Sequence, residues 1–162
     1  MDLADCRIVL QDAGVANNNK KYQFGATPGG KRLAAAILKR INTHLLLDAK
    51  RIIPANAEDA TVEMLIQQQQ QQWASEEERE EWLNKIGNMV LVSSTSSSSR
   101  GSRSKKKSDA SSWESKCIEY KKEAWPTTKQ LAELDHQWGI NTVKDQQKDI
   151  VSMMETVWGL KN

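Results

Sequence analysis

Met89-Val90-Leu91-Val92 is a run of four apolar residues, two of them β-branched, preceded by Gly87-Asn88 and followed by Ser93-Ser94. It is too short for a buried helix and shows no polar alternation, so it reads as a short strand that is apolar on both faces. A strand of that kind needs cover on both sides, which obliges the rest of the chain to supply a pairing strand and packing layers. Arg51-Ile52-Ile53-Pro54 is the pairing strand the sequence offers, stopped by its proline. An antiparallel pair of residues about 50–54 with 89–92 is therefore expected.

The cover is helical. Leu33, Ile37, Leu38, Ile41 and Leu45 recur at helical spacing up to about Asp48, after a loop at Thr27-Pro28-Gly29-Gly30. Ser75 with Glu78 forms a capping box for a short acidic helix that buries Trp82, Leu83 and Ile86 and stops at Gly87. Three helices follow. The first, from about residue 113, carries Trp113, Cys117 and Tyr120 on one face. The second is capped by Thr127 with Gln130, carries Leu131 and Leu134, and ends near Trp138-Gly139. The third starts at Asn141 or Thr142 and aligns Val143, Ile150, Met154, Val157 and Trp158. Tryptophan and methionine at this spacing belong to a core. Six Trp against one Phe let that core rest on few, large side chains. The expected fold is α+β and mostly helical: two short antiparallel strands and a helix form a ββα unit, covered by additional helices.

At 162 residues the chain is long enough for one domain. Residues 1–30 are weakly patterned, and the domain is expected over 31–160. Two low-complexity inserts interrupt it, the glutamine run at 67–72 and a Ser-rich, basic stretch at about 93–112. The net charge of +2 implies no partner, but the charges are segregated. Residues 76–81 are nearly all acidic, whereas Arg100, Arg103, Lys105, Lys106 and Lys107 fall within eight positions. Such a cluster can hold DNA or RNA through phosphates without sequence preference. It also suits a solvated insert or a localisation signal. No stretch of the chain is long and apolar enough for a membrane, and no secretory leader is seen, so the location is expected to be intracellular, cytoplasmic or nuclear.

Little else carries chemistry. Cys6 and Cys117 form no CxxC and have no His beside them, and no phosphate-cradling Gly-rich loop precedes a GK[ST]. His44 and Asp48 are four apart on one helix, a spacing that suits a pair of metal ligands but also an ordinary surface pair. His136 near a helix end is explained by the helix dipole.

The ordered set is more specific than its parts. The expected strand ending at Pro54 and the acidic helix come first, then Ile86-Gly87-Asn88-Met89-Val90-Leu91-Val92-Ser93-Ser94. Trp113-Glu114-Ser115-Lys116, Tyr120, Thr127-Thr128, Trp138 and Trp158 complete it. Over about residues 31–160 this resembles the HNH-type nuclease domain at the C-terminus of GmrSD type IV restriction enzymes. That family runs roughly Glu-His-Ile-x-Pro, a helix with Trp, then Leu/Ile-Gly-Asn-Leu-x-Leu-Leu-Ser. An Asn-containing loop and an aromatic-x-x-Lys helix with a Tyr follow. The resemblance implies a ββα-metal fold. The carboxylate before the His and an Asn or His of the later loop hold a divalent cation such as magnesium. The His is the general base, and the Asn after Gly orients it.

Placed on the strand expected at 50–54, Lys50 takes the carboxylate position and Arg51 the His position, Asn88 is retained, and Ser97 falls at the loop ligand. No intact catalytic set, no metal site and no cofactor are then expected. An ammonium repels a divalent cation, and a guanidinium cannot take a proton from water. The implied function is a catalytically degenerate HNH endonuclease-like domain that binds nucleic acid or a partner without hydrolysis. Arg51 would face the Asn88 turn and the start of the Trp113 helix, offering its fork to a phosphate. The alternative is an ion pair with one of the carboxylates of 76–81. Two other readings stand beside it: an active metal-dependent nuclease with a site relocated to His44, Asp48 and Asn88, and a non-functional structural remnant or gene fragment. Members of the resembling family usually carry another large domain ahead of this one, so an upstream domain or partner protein outside this chain is also implied.

Overall fold

The structure is a computed structural model, and it describes residues 24–66, 73–93, 113–134 and 139–159. In chain order the elements are α1 (Pro28–Asp48), β1 (Thr61–Met64), α2 (Glu76–Trp82), β2 (Met89–Val92), α3 (Trp113–Lys121), α4 (Pro126–Ala132) and α5 (Ile140–Val157). The fold is α+β and mostly helical, with one two-stranded antiparallel sheet, as the apolar patterning implies. In the register of that sheet, Thr61, Val62, Glu63 and Met64 face Val92, Leu91, Val90 and Met89.

All four residues of β2 are buried, and the two faces of the strand enter different cores. Met89 and Leu91, with Val62 beside them, pack among Ile37, Leu38 and Ile41 of α1, Ile150 and Met154 of α5, and Trp125. Val90 and Val92 pack with Leu65, Ile66, Tyr120, Leu131 and Val143. The alternation of a strand thus divides the molecule's apolar interior into two clusters, one on each side of the sheet.

The strand expected at 50–54 is not there; β1 begins seven residues beyond it. α1 ends in a Schellman turn that accounts for the difference. Lys50 adopts a left-handed conformation with φ of 55°. Its N–H donates to the Leu47 carbonyl at 3.0 Å, and the N–H of Arg51 donates to the Leu46 carbonyl at 2.7 Å. These bonds close the helix and use the amide that would have begun a ladder. Ile52 emerges 92% exposed. The β preference of an Ile-Ile pair yields here to the helix cap just before it.

Other local expectations shift in the same way. Thr27-Pro28 is a helix start rather than a loop: the Thr27 hydroxyl accepts from the Gly30 N–H at 3.0 Å, and Pro28 occupies the first turn. Phe24 is already in the core, inside the stretch expected to be weakly ordered; residues 1–23 lie outside the described residues, as do the inserts at 67–72 and 94–112. Ser75 caps α2 by accepting from the Glu78 N–H, but the Glu78 carboxylate returns to the N–H of Ala74. That bond, with help from Lys144 and against desolvation, holds the Glu78 pKa below the usual carboxylate range. Thr127 does not cap α4. Its N–H and hydroxyl bond the buried Asn42 of α1 at 2.9–3.0 Å, tying the two helices across the core. α5 begins at Ile140, with the Thr142 hydroxyl accepting from the Gly139 N–H.

Gly87 does not terminate α2, which ends at Trp82. It lets the chain approach α5: its N–H donates to the Gln147 side-chain oxygen at 2.6 Å, and a Cβ there would sit 2.7 Å from the Val143 carbonyl oxygen. Gly87→Ala is expected to cost about 2–3 kcal/mol in denaturant unfolding, because backbone rather than a flexible side chain must give way. Lys50→Gly is expected to stabilise by about 0.5–1 kcal/mol, since glycine adopts the left-handed turn without a Cβ penalty. A loss of stability on Lys50→Gly would contradict the turn.

Candidate functional site

The short 3-10 turn Ile86–Asn88 delivers the chain into β2. Asn88 is completely buried. Its side-chain oxygen accepts from the Ile66 N–H at 2.9 Å, and its amide nitrogen donates to the Ile66 carbonyl at 2.9 Å and the Leu83 carbonyl at 2.8 Å. The Asn88 main-chain carbonyl accepts from the Leu65 N–H at 2.9 Å. The asparagine therefore extends the sheet beyond β1 with its side chain and ties in the end of the α2 segment. An asparagine suits the place because a single planar amide supplies both an acceptor and donors.

Two strand positions away lies the only β1 carboxylate. Glu63 pairs with Val90 in register, and Lys116, in the first turn of α3, forms an ion pair with it. The Lys116 side chain is 18% exposed and that of Glu63 36%. The Lys116 ammonium lies 5.9 Å from the centre of the Tyr120 ring, one turn further along α3. Desolvation pushes the Lys116 pKa below the ordinary lysine value, and the charge of Glu119 opposes this. The contact with Glu63 acts in the same direction as Glu119. Burial also drives the Tyr120 hydroxyl far above the usual tyrosine range, and it raises the Cys117 thiol. Neither group is a ready nucleophile or base at neutral pH.

At the other end of β2, the buried Glu123 accepts from the Ser93 N–H at 3.1–3.2 Å and from its hydroxyl at 2.8 Å. The carboxylate fixes the strand's exit, where the Ser-rich stretch begins. Nothing local in the sequence marks Glu123 for this, since its partner is thirty residues away.

The residues singled out from the sequence are not brought together. Lys50 and Arg51 are exposed at the end of α1. Asn88 spends its side chain on Ile66 and Leu83, and Arg51 closes the end of α1 instead of ending a strand beside β2. Among the described residues Arg51 forms no ion pair; the α2 carboxylates pair instead within α2, with Lys85 and with Lys144. His44 and Asp48 are exposed on α1, and the sealed amide of Asn88 cannot join them in a relocated site. Ser97, Arg100, Arg103, Lys105, Lys106, Lys107 and His136 lie outside the described residues. Among the described residues no three His, Cys, Asp or Glu side chains converge as metal ligands would, and no helix is long and apolar enough to cross a membrane.

Compared with known proteins, residues 18–153 match the family model for GmrSD restriction endonucleases, C-terminal domain. No curated protein matches the chain, and neither does any solved structure.

Asn88→Ala is expected to destabilise by about 3 kcal/mol, because it leaves a buried N–H and two carbonyls without partners. Arg51→Ala should change stability by less than about 0.5 kcal/mol, as an exposed residue outside such a network. Comparable losses for the two variants, measured by urea unfolding, would contradict the placement of both side chains.

Proposed function

Since the chain belongs to the family of GmrSD restriction endonuclease C-terminal domains, we propose that it is a catalytically degenerate, HNH-like nuclease domain that binds nucleic acid without hydrolysing it. The strand register carries this reading. In the family pattern, Glu-His-Ile-x-Pro belongs to the strand that pairs with the Gly-Asn strand. Here that partner strand is Thr61–Met64, continuing into Leu65-Ile66. Laid on the pattern, Glu63 takes the carboxylate position, Met64 the His position and Leu65 the Ile. This reading moves the family's site from Lys50 and Arg51, whose segment keeps the pattern's Ile52 and Pro54, to Glu63 and Met64, whose segment keeps its glutamate.

The chemistry of degeneracy changes with it. The carboxylate is kept, and what is missing is the base. A thioether has no proton to exchange near neutral pH and is only a weak acceptor, so Met64 cannot activate a water. The remaining Glu63 is held by the Lys116 ammonium. A magnesium ion, which the family implies, would have to displace that ammonium and find further oxygen ligands. The donors on the described residues do not fit such an ion, and no hydrolytic step is derived through it. Asn88, the family's orienting residue, is kept for the structural work of joining β1 to β2.

Binding without cleavage rests on the basic cluster Arg100, Arg103, Lys105, Lys106 and Lys107. Such a cluster gives salt-dependent, sequence-independent affinity for a phosphate backbone. The test pairs two measurements on the full chain. Duplex and single-stranded DNA and RNA, incubated with magnesium or manganese, should stay uncut. Divalent-dependent cutting that Glu63→Gln abolishes would overturn the degeneracy. Replacing Lys105, Lys106 and Lys107 by alanine should weaken DNA binding and make the salt slope shallower by about one unit per lost phosphate contact; an unchanged slope would remove the nucleic-acid half of the proposal.

A further inference from the structure

α1 turns one side to the core and the other to solvent, and the solvent side has an unusual composition. From Pro28 to Ile53 the chain carries six cations, Lys31, Arg32, Lys39, Arg40, Lys50 and Arg51, against one carboxylate, Asp48. Arg79, Lys85, Lys116, Lys144 and Lys148 each face a carboxylate. None of the six does so among the described residues; Lys39 reaches only the Glu58 carbonyl oxygen, at 3.5 Å.

The same stretch holds four of the five exposed large hydrophobic residues among those described: Leu33, Leu47, Ile52 and Ile53. Leu47 is 60% exposed and Ile52 92%. At about 100° per residue, Arg32, Leu33, Arg40, His44 and Leu47 fall within roughly one third of the helix circumference, opposite the buried Leu38 and Ile41. The Schellman turn at Lys50 then holds Ile52 out beyond the end of that stripe. Arg32 and Arg40, with Lys50 and Arg51 at the turn, none of them ion-paired among the described residues, thus share with Leu33, Leu47 and Ile52 one surface about 30 Å long, given the rise of a 21-residue helix, while Lys31 and Lys39 fall outside the stripe.

Each half of that composition narrows the partner. The cations require an acidic one. The aliphatic side chains gain nothing from a phosphate backbone, and the face has no aromatic ring on which a base could stack. Leucine and isoleucine gain by being covered with other aliphatic groups, and a surface that mixes them with a single sign of charge marks a binding face. We propose that the outer face of α1 and the turn at 50–53 form a docking surface for a protein segment that carries carboxylates and aliphatic side chains on one face, an acidic amphipathic helix. This inference is independent of the reading of the Glu63 site.

The probe is a synthetic peptide of about 20 residues that presents leucines and glutamates along one helical face. It is titrated against the full chain beside duplex DNA and vesicles of phosphatidylserine and phosphatidylcholine. Two double variants are compared with the parent: Arg40→Glu with Arg51→Glu, and Leu47→Ser with Ile52→Ser. All four positions are exposed, so unchanged thermal melting is expected and confirms that the fold is kept. The peptide should bind, and each double variant should weaken it about tenfold or more. Peptide binding that is lost with the charge variant and untouched by the serine variant would overturn the proposal by reducing the face to bare electrostatics. DNA bound through this face and insensitive to the serine variant, vesicles bound where the peptide is not, or no binding of any probe would overturn it as well.

Discussion

The burial of Met89–Val92 on both faces is the constraint from which the rest follows. A four-residue strand cannot satisfy its backbone alone or shield two apolar faces. β1 meets the first need along one edge, and side chains meet part of it elsewhere: the Gln146 amide donates to the Met89 carbonyl and the Thr128 hydroxyl to the Leu91 carbonyl. The second need draws α1 to one face and α3 and α4 to the other, with α5 reaching both through Ile150 and Met154 on one side and Val143 on the other. Gly87 and Asn88 then set where the strand begins. Gly87 admits α5 within backbone distance, and Asn88 joins the strand to the end of β1. The Gly-Asn pair thus has a packing and hydrogen-bonding role in this chain.

How much of this can be read in the sequence depends on whether the deciding contacts are local. β2 is legible because four apolar residues in a row leave one economical solution. The helices are legible by their period, and their ends less so. β1 is not legible, because Ile52-Ile53-Pro54 looks locally more like a strand than Thr61-Val62-Glu63-Met64 does. The choice between them is made by a helix cap on one side and by Asn88, more than twenty residues away, on the other. The family pattern itself divides between them: Val62-Glu63-Met64-Leu65 keeps its glutamate, whereas Lys50-Arg51-Ile52-Ile53-Pro54 keeps its Ile and Pro. The Asn42–Thr127 and Ser93–Glu123 bonds had no such signal, since each joins distant segments through residue types that are common on surfaces.

Under the proposed function, the shift of register alters what kind of degenerate site this would be. Two cations at the reactive positions would repel a metal and attract phosphate. A glutamate paired with a buried-stemmed lysine, beside a methionine, carries little net charge into its surroundings. The cationic character of the molecule then lies elsewhere: in the segment of 100–107 and along the outer face of α1. That Glu63 and Met64 stand in the strand facing Val90 and Met89 can be checked by nuclear Overhauser contacts in the isotope-labelled chain. Cross-strand backbone contacts should connect Val62 and Glu63 with Val90 and Leu91, while Ile52 and Ile53 show none to residues 89–92; cross-strand contacts from Ile52 or Ile53 to that strand would contradict the register and the assignment of the site.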